Sequence, residues 1–209
     1  YLNYKVFSMK VTPHYSSKET LQFTYDCAKM LLNTEGIFVE CGVASGSQIG
    51  AMAECLKDNN QVRTIYGFDS FQGIPFAGEH DLDQPGIGAK DESKLGLLES
   101  SGISSHSKQE VLNNFKRWGL STDNLKLIEG WFENTIPGFD IEPIALLRLD
   151  GDLYSSTKVC MEHLFPKMIS GGILIIDDYL LPGSRKAINE FIPHDKIIEH
   201  LGIAYYEVP

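Results

Sequence analysis

Residues 36–48 read GIFVECGVASGSQ, and the fold follows from them. The run 36–43 is apolar apart from Glu40, as a strand buried on both faces would be, and ASGSQ after it is a tight turn. Ile49, Met52, Ala53 and Leu56 then recur at helical spacing over 47–57, and TIYGF at 64–68 is a second buried strand. Strand, turn, helix and strand in about 30 residues make one βαβ unit. Upstream, Leu21, Tyr25, Ala28, Leu31 and Leu32 give 16–34 the buried stripe of a helix, opened by Ser16 or Ser17 as cap. Downstream the spacing predicts helices over 108–120, 157–168 and 187–191, with strands at 125–128, 144–149 and 173–176. A terminal strand pair is expected at 196–198 and 204–208. Helices alternating with continuously apolar strands predict an α/β domain: a doubly wound, mainly parallel seven-stranded sheet with helices on both faces.

The chain has 209 residues, 43% hydrophobic and 22% charged, which suits one globular domain spanning 1–209. An N-terminal helical segment is expected over about 1–35. Residues 73–107, rich in Gly, Ser and Pro with the acidic run EHDLDQ, break the periodicity and read as a lid over a binding site. A formal charge of −10 argues against nucleic acid and against an anionic membrane surface as partners. Cys27, Cys41, Cys55 and Cys160 form no CxxC pair and sit among apolar neighbours, so buried reduced thiols are expected. No basic-then-apolar leader opens the sequence, and no apolar run approaches the about 20 residues of a membrane span. A cytoplasmic location is expected.

Ligands of such sheets bind beyond the carboxyl ends of the strands, where the strand order switches. Each of the first five strands ends in or near an acid on that rim: Glu40, Asp69, Glu129, Asp150 and the Asp177–Asp178 pair. The first turn is ExGxxxG (Glu40, Gly42, Gly46) rather than the GxGxxG of dinucleotide sites. S-adenosylmethionine, which has no phosphates, fits it better, with Asp69 placed for the ribose hydroxyls; the blander alternative is that the glycines only shape a turn. Asp150, Asp177 and Asp178 would converge on neighbouring strand ends. Three carboxylates together call for a hard divalent cation, Mg2+ above all, and no His or Cys stands with them to favour zinc. Asp152 on the same rim is the candidate general base, or else an acid that supports the site from behind or caps a helix.

The segments FVECGVASG, YGFDSFQGIP, EVLNNFKRWGL, LIEGWFENTIP and LRLDGDLYSSTKVCMEHLFPKMISGGILIIDDYLLPGSRKAINEF resemble the macrocin-type (TylF-like) O-methyltransferases. These are Rossmann-like class I methyltransferases that use S-adenosylmethionine to methylate sugar hydroxyls of natural products. The resemblance implies Asp150, Asp177 and Asp178 as metal ligands, with Asp152 as base and Asp150 also part of the catalytic centre. It implies cofactor contacts from Glu40, Gly42, Ser45, Gly46, Asp69, Ser70 and the Gly130–Trp131 corner. The acceptor would be a small-molecule hydroxyl on a sugar or glycoside, and the assembly a homodimer or larger. Catechol-type relatives usually carry a lysine three residues after the first aspartate; here that position is Leu153, which disfavours a catechol acceptor. Two rival functions are a nucleotide-dependent oxidoreductase and a non-catalytic binding module on the same fold. Among the histidines, His106 in the lid is the one expected to touch substrate.

Overall fold

The computed structural model describes residues 9–84 and 92–209; the first eight residues of the N-terminal segment and 85–91 of the expected lid lie outside them. The chain runs α1 (Lys18–Met30), β1 (Ile37–Cys41), α2 (Ser47–Asp58), β2 (Ile65–Asp69), α3 (Lys108–Trp118), β3 (Leu125–Glu129), α4 (Phe132–Thr135) and β4 (Ile144–Leu149). It continues through α5 (Tyr154–His163), β5 (Met168–Ile176), α6 (Pro182–Asn189), β6 (Ile198–His200) and β7 (Ile203–Glu207). The seven strands form one sheet in the order β3-β2-β1-β4-β5-β7-β6. All neighbours are parallel except that β7 runs antiparallel to β5 and β6.

Both faces of the sheet are packed. Phe38, Ile65, Ala145 and Ile175 meet Leu21, Ile49 and Phe115 from α1, α2 and α3 on one side. Ile37, Val39, Phe68 and Leu147 meet Phe132, Val159 and Ile188 from α4, α5 and α6 on the other. This explains why β1 and β4 carry no polar/apolar alternation: every residue of either strand is buried. All four cysteines are buried and free. No helix among the described residues is long and apolar enough to cross a membrane.

Several boundaries differ from the sequence expectation, and each has a local cause. The N-terminal helix is confined to Lys18–Met30, because Ser17 accepts the Thr20 N–H and fixes its start. Helix α5 starts at Tyr154, three residues early, although its N-cap is Leu153, which has no side-chain acceptor. Asp81 supplies it instead: its Oδ1 accepts the Tyr154 N–H at 2.9 Å, a cap delivered from far away in sequence. Pro166 falls in a short 3-10 turn, Phe165–Lys167, that separates α5 from β5. The one-turn helix α4 was not foreseen.

The described parts of 73–107 fold back on themselves as two arms. Pro75 bridges Ser100, the Ile74 N–H donates to the Ile103 carbonyl, and the Gly96 N–H donates to the Ala77 carbonyl.

Candidate functional site

Strands β1 and β4 are neighbours, yet the chain leaves β1 toward β2 and β3 and leaves β4 toward β5. A cleft opens at such a switch point, beyond the carboxyl ends of the strands. A cavity of about 550 Å³ lies there, a size suited to a small-molecule ligand. Glu40, Gly42, Ser45, Asp69, Ser70, Trp131, Asp150, Asp152, Asp177 and Asp178 line it. Gly46 and Gly130, also expected as contacts, are not in its wall; Gly46 is the N-cap of α2, and the Gly130 N–H donates to the Asp69 carbonyl at the ends of β2 and β3. Glu129 is exposed and does not join the other rim acids.

The first turn is built for close approach. Gly42 has φ +92°, and a Cβ there would sit 1.8 Å from the Asp150 carbonyl oxygen, so only glycine lets β1 pass β4 at this point. Asp69 braces the same turn: Oδ2 accepts the N–H groups of Val43 at 2.7 Å and Ala44 at 2.9 Å, and Oδ1 accepts that of Phe71 at 2.6 Å. A carboxylate has about four acceptor positions, so little of Asp69 is left for a ligand. Burial raises the Asp69 pKa, against the pull of those three N–H groups. Ser70 Oγ is likewise engaged, donating to the Gly73 carbonyl and accepting the Gln72 N–H.

Strands β4 and β5 bring Asp150, Asp177 and Asp178 together, with one oxygen of each within 4.8 Å of the others. Asp178 Oδ2 also accepts the Asp152 N–H at 2.8 Å, which ties Asp152 to the cluster. Burial first, and Asp177 second, push Asp152 up to about 6. Asp150 is raised by burial and by Asp177, with Arg148 opposing, and Asp178 is raised by burial and by its carboxylate neighbours. An all-oxygen donor set with excess negative charge fits a hard divalent cation, since binding one removes the repulsion that raises these pKa values.

Arg148 was missed in the sequence. It is the charged residue in the strand IALLRL, its side chain 1% exposed. Its Nη1 donates to Glu40 Oε1 at 3.0 Å and to Asp150 Oδ2 at 2.8 Å, and its Nη2 donates to Asp177 Oδ1. One guanidinium thus joins the acid of β1 to the acids of β4 and β5, and they in turn hold it charged. The signal was available: a lone arginine in an apolar strand, two residues before Asp150, shares its face. Glu40 is buried completely and pushed up to about 8 by that burial, with Arg148 opposing. Its Oε2 has no partner, and neither have Arg148 Nε or both oxygens of Glu133, another residue of the cavity wall. These orphaned groups are what a polar ligand would satisfy.

His106 does not line the cavity. Its Nδ1 lies 3.0 Å from Glu110 Oε2, and its ring packs edge-on against His14 and Tyr15, which do line it.

Comparison with known proteins identifies the site's setting. The demethyldecarbamoylnovobiocin O-methyltransferase of Streptomyces niveus is 35% identical over 76% of this chain and 59% of its own. The 8-demethyl-8-(2,3-dimethoxy-alpha-L-rhamnosyl)-tetracenomycin-C 4'-O-methyltransferase of Streptomyces olivaceus is 35% identical over 75% of this chain and 58% of its own. The chain therefore spans less than two thirds of the length of these relatives. The solved structure of the O-methyltransferase NovP superposes with a TM-score of 0.75 at 31% identity, covering 91% of this chain and 79% of that one. The profile of the macrocin-O-methyltransferase (TylF) family matches residues 18–204. On that match, and on the relatives that share it, the chain belongs to the macrocin-O-methyltransferase family.

Proposed function

We propose that the chain is an S-adenosylmethionine-dependent, Mg2+-dependent O-methyltransferase acting on a hydroxyl of a sugar or glycosylated natural product. The observation that carries this is the convergence of Asp150, Asp177 and Asp178 beside Asp152 in one cavity at the switch point. Membership of the family and the names of the relatives support it.

In this reading Asp150, Asp177 and Asp178 would hold the cation, which when bound lowers the pKa of a coordinated hydroxyl. The cofactor would supply the methyl group, the acceptor O–CH3 bond forming as its S–CH3 bond breaks. Asp152 takes the hydroxyl proton on its carboxylate. What supports this role is that Asp152 lines the same cavity as the three ligand acids and is tied to Asp178 through its own N–H. Glu40 would pair with the amino group of the cofactor's amino-acid tail through its free Oε2. Gly42 and Ser45 would lie against the cofactor backbone, Trp131 would face its base, and Asp69 would offer the ribose its remaining acceptor position. Gly46 and Gly130 shape the corners. Alignment of acceptor oxygen, methyl and base supplies much of the acceleration, on the order of 7–11 kcal/mol. The two-armed segment 73–107 would act as the lid, and a homodimer or larger assembly is part of the same proposal.

The test is calorimetric titration with S-adenosylhomocysteine, followed by methyl transfer from S-adenosylmethionine to a panel of demethylated glycosides that begins with demethyldecarbamoylnovobiocin. Binding of the cofactor product, and turnover abolished by EDTA and by Asp150→Asn, are expected. NAD(H) binding without S-adenosylhomocysteine binding, or turnover indifferent to EDTA, would overturn the proposal.

A further inference from the structure

The candidate base sits in an unusual backbone conformation. Asp152 has φ +59°, a left-handed geometry that costs a non-glycine residue about 1 kcal/mol and needs surrounding contacts to persist. Three hydrogen bonds fix the peptide groups around it. The Asp152 N–H donates to Asp178 Oδ2 at 2.8 Å, its carbonyl accepts from Gln84 Nε2 at 3.0 Å, and the Tyr154 N–H donates to Asp81 Oδ1 at 2.9 Å. The last two partners come from the connection between β2 and α3, a different layer of the chain.

These two residues are seated, not draped. Asp81 is 2% exposed and Gln84 3% exposed, unusual burial for such side chains. Asp81 lies against Gly183 of α6 so closely that a Cβ on that glycine would come within 1.8 Å of Asp81 Oδ1. The Gly78 N–H donates to Asp81 Oδ2 at 3.3 Å, and the Gln84 N–H to the Asp81 carbonyl at 3.1 Å, so the 3-10 turn Glu79–Asp81 and the turn that follows it carry the two contacts. Outside it, the His80 ring packs on Tyr154 with centroids 4.2 Å apart, and Lys186 Nζ donates to His80 Nδ1 at 3.0 Å.

Building on the proposed function, we infer that Gln84 and Asp81 are positioning residues for Asp152: they hold the Asp152–Tyr154 backbone in the conformation that aims the Asp152 carboxylate at the cavity. Without the Gln84 bond the Asp152 carbonyl is free to rotate, φ relaxes toward negative values, and the carboxylate swings away from the acceptor. The connection between β2 and α3, whose Ile74 and Ile103 line the cavity, therefore also sets the geometry of its base.

Hydrogen exchange on the full chain tests this without any acceptor. Gln84→Met keeps the volume and removes the donor; it is expected to speed exchange of the Leu153 amide, which shares a peptide group with the Asp152 carbonyl, at least about tenfold. Asp81→Leu is expected to do the same at the Tyr154 amide, while Asp81→Asn, which can still accept, keeps wild-type protection. With the acceptor found in the glycoside panel, Gln84→Met should lower kcat by about 10- to 100-fold while acceptor KM and S-adenosylhomocysteine affinity stay within about threefold. In an Asp152→Asn background the same substitution should lower turnover no further, because its effect passes through Asp152.

Unchanged exchange at Leu153 in Gln84→Met overturns the inference, as does an equal further loss of kcat in Asp152→Asn. If Gln84→Met does not fold, Asp81→Asn against Asp81→Leu decides it alone: equal protection of Tyr154 in the two sinks it. Full turnover by Asp152→Asn, in contrast, refutes the base assignment itself.

Discussion

Replacing Arg148 by Met tests how the charged floor of the cavity is held together. The substitution keeps an unbranched chain in the space but removes the cation that Glu40, Asp150 and Asp177 share. The three acids do not suffer equally. Asp150 and Asp177 are 31% and 24% exposed, so water or a bound cation can replace the guanidinium, whereas Glu40 is 1% exposed and has no such recourse. Leaving one buried charge unpaired costs about 3–5 kcal/mol, and at about 2–4 °C per kcal/mol for a domain of this size the melting temperature should fall by about 6–20 °C. Differential scanning calorimetry at pH 9, above the wild-type Glu40 value of about 8, measures it. The pH dependence follows from the sign of the Glu40 shift, which is upward and grows when Arg148 is lost. With Glu40 at about 8 in the wild type and higher in the variant, the two folded proteins differ in Glu40 charge only above about pH 8, so the deficit should widen as pH rises from 8 toward 10 and stay nearly level between 5 and 8. The double variant Arg148→Met, Glu40→Gln should regain about 1.5–3 kcal/mol at pH 9. A single variant that melts within about 2 °C of wild type, or a double variant that regains nothing, would refute the idea that Glu40 depends on this guanidinium.

Asp178→Asn should raise the melting temperature of metal-free protein by relieving repulsion in the cluster, and should erase a magnesium-induced rise of about 5–10 °C expected for wild type near 100-fold Kd; scanning fluorimetry with and without magnesium reads both. Asp152, raised to about 6, destabilises metal-free protein increasingly as pH rises from about 4 to that value, and by a constant amount above it. Asp152→Asn should therefore gain about 1–3 kcal/mol over wild type at pH 8 and almost nothing at pH 4 in urea titrations, and a gap that widens on acidification would be the wrong sign. Gly42→Ala must place a Cβ 1.8 Å from the Asp150 carbonyl oxygen at φ +92°. It should lose more than about 4 kcal/mol and accumulate as insoluble protein; a soluble variant with a wild-type melt would show that β1 and β4 can separate there.

Much of this molecule is legible in the order of its residues. Apolar runs such as those at 144–149 and 173–176 can be buried only inside a covered sheet, so strand identity, parallel pairing and the placing of Asp69, Asp150 and Asp177 at strand ends follow from local pattern. Helix starts fixed by a neighbouring side chain are legible too, as Ser17 shows for α1. Features made by residues distant in sequence are not. Leu153 looks unfit to begin a helix, and α5 starts beside it because Asp81 arrives from another layer to accept the Tyr154 N–H. Asp69 suggested a ligand contact by position, yet the fold turns most of its carboxylate onto the backbone of the first turn. Arg148 shows the division most plainly: its neighbours mark the position as buried, but only packing of β1, β4 and β5 side by side puts its three carboxylate partners within reach. Backbone pattern is set by interactions a few residues long, so the sequence determines it alone; charge pairing in a low-dielectric interior depends on which strands become neighbours, and that only the tertiary structure decides.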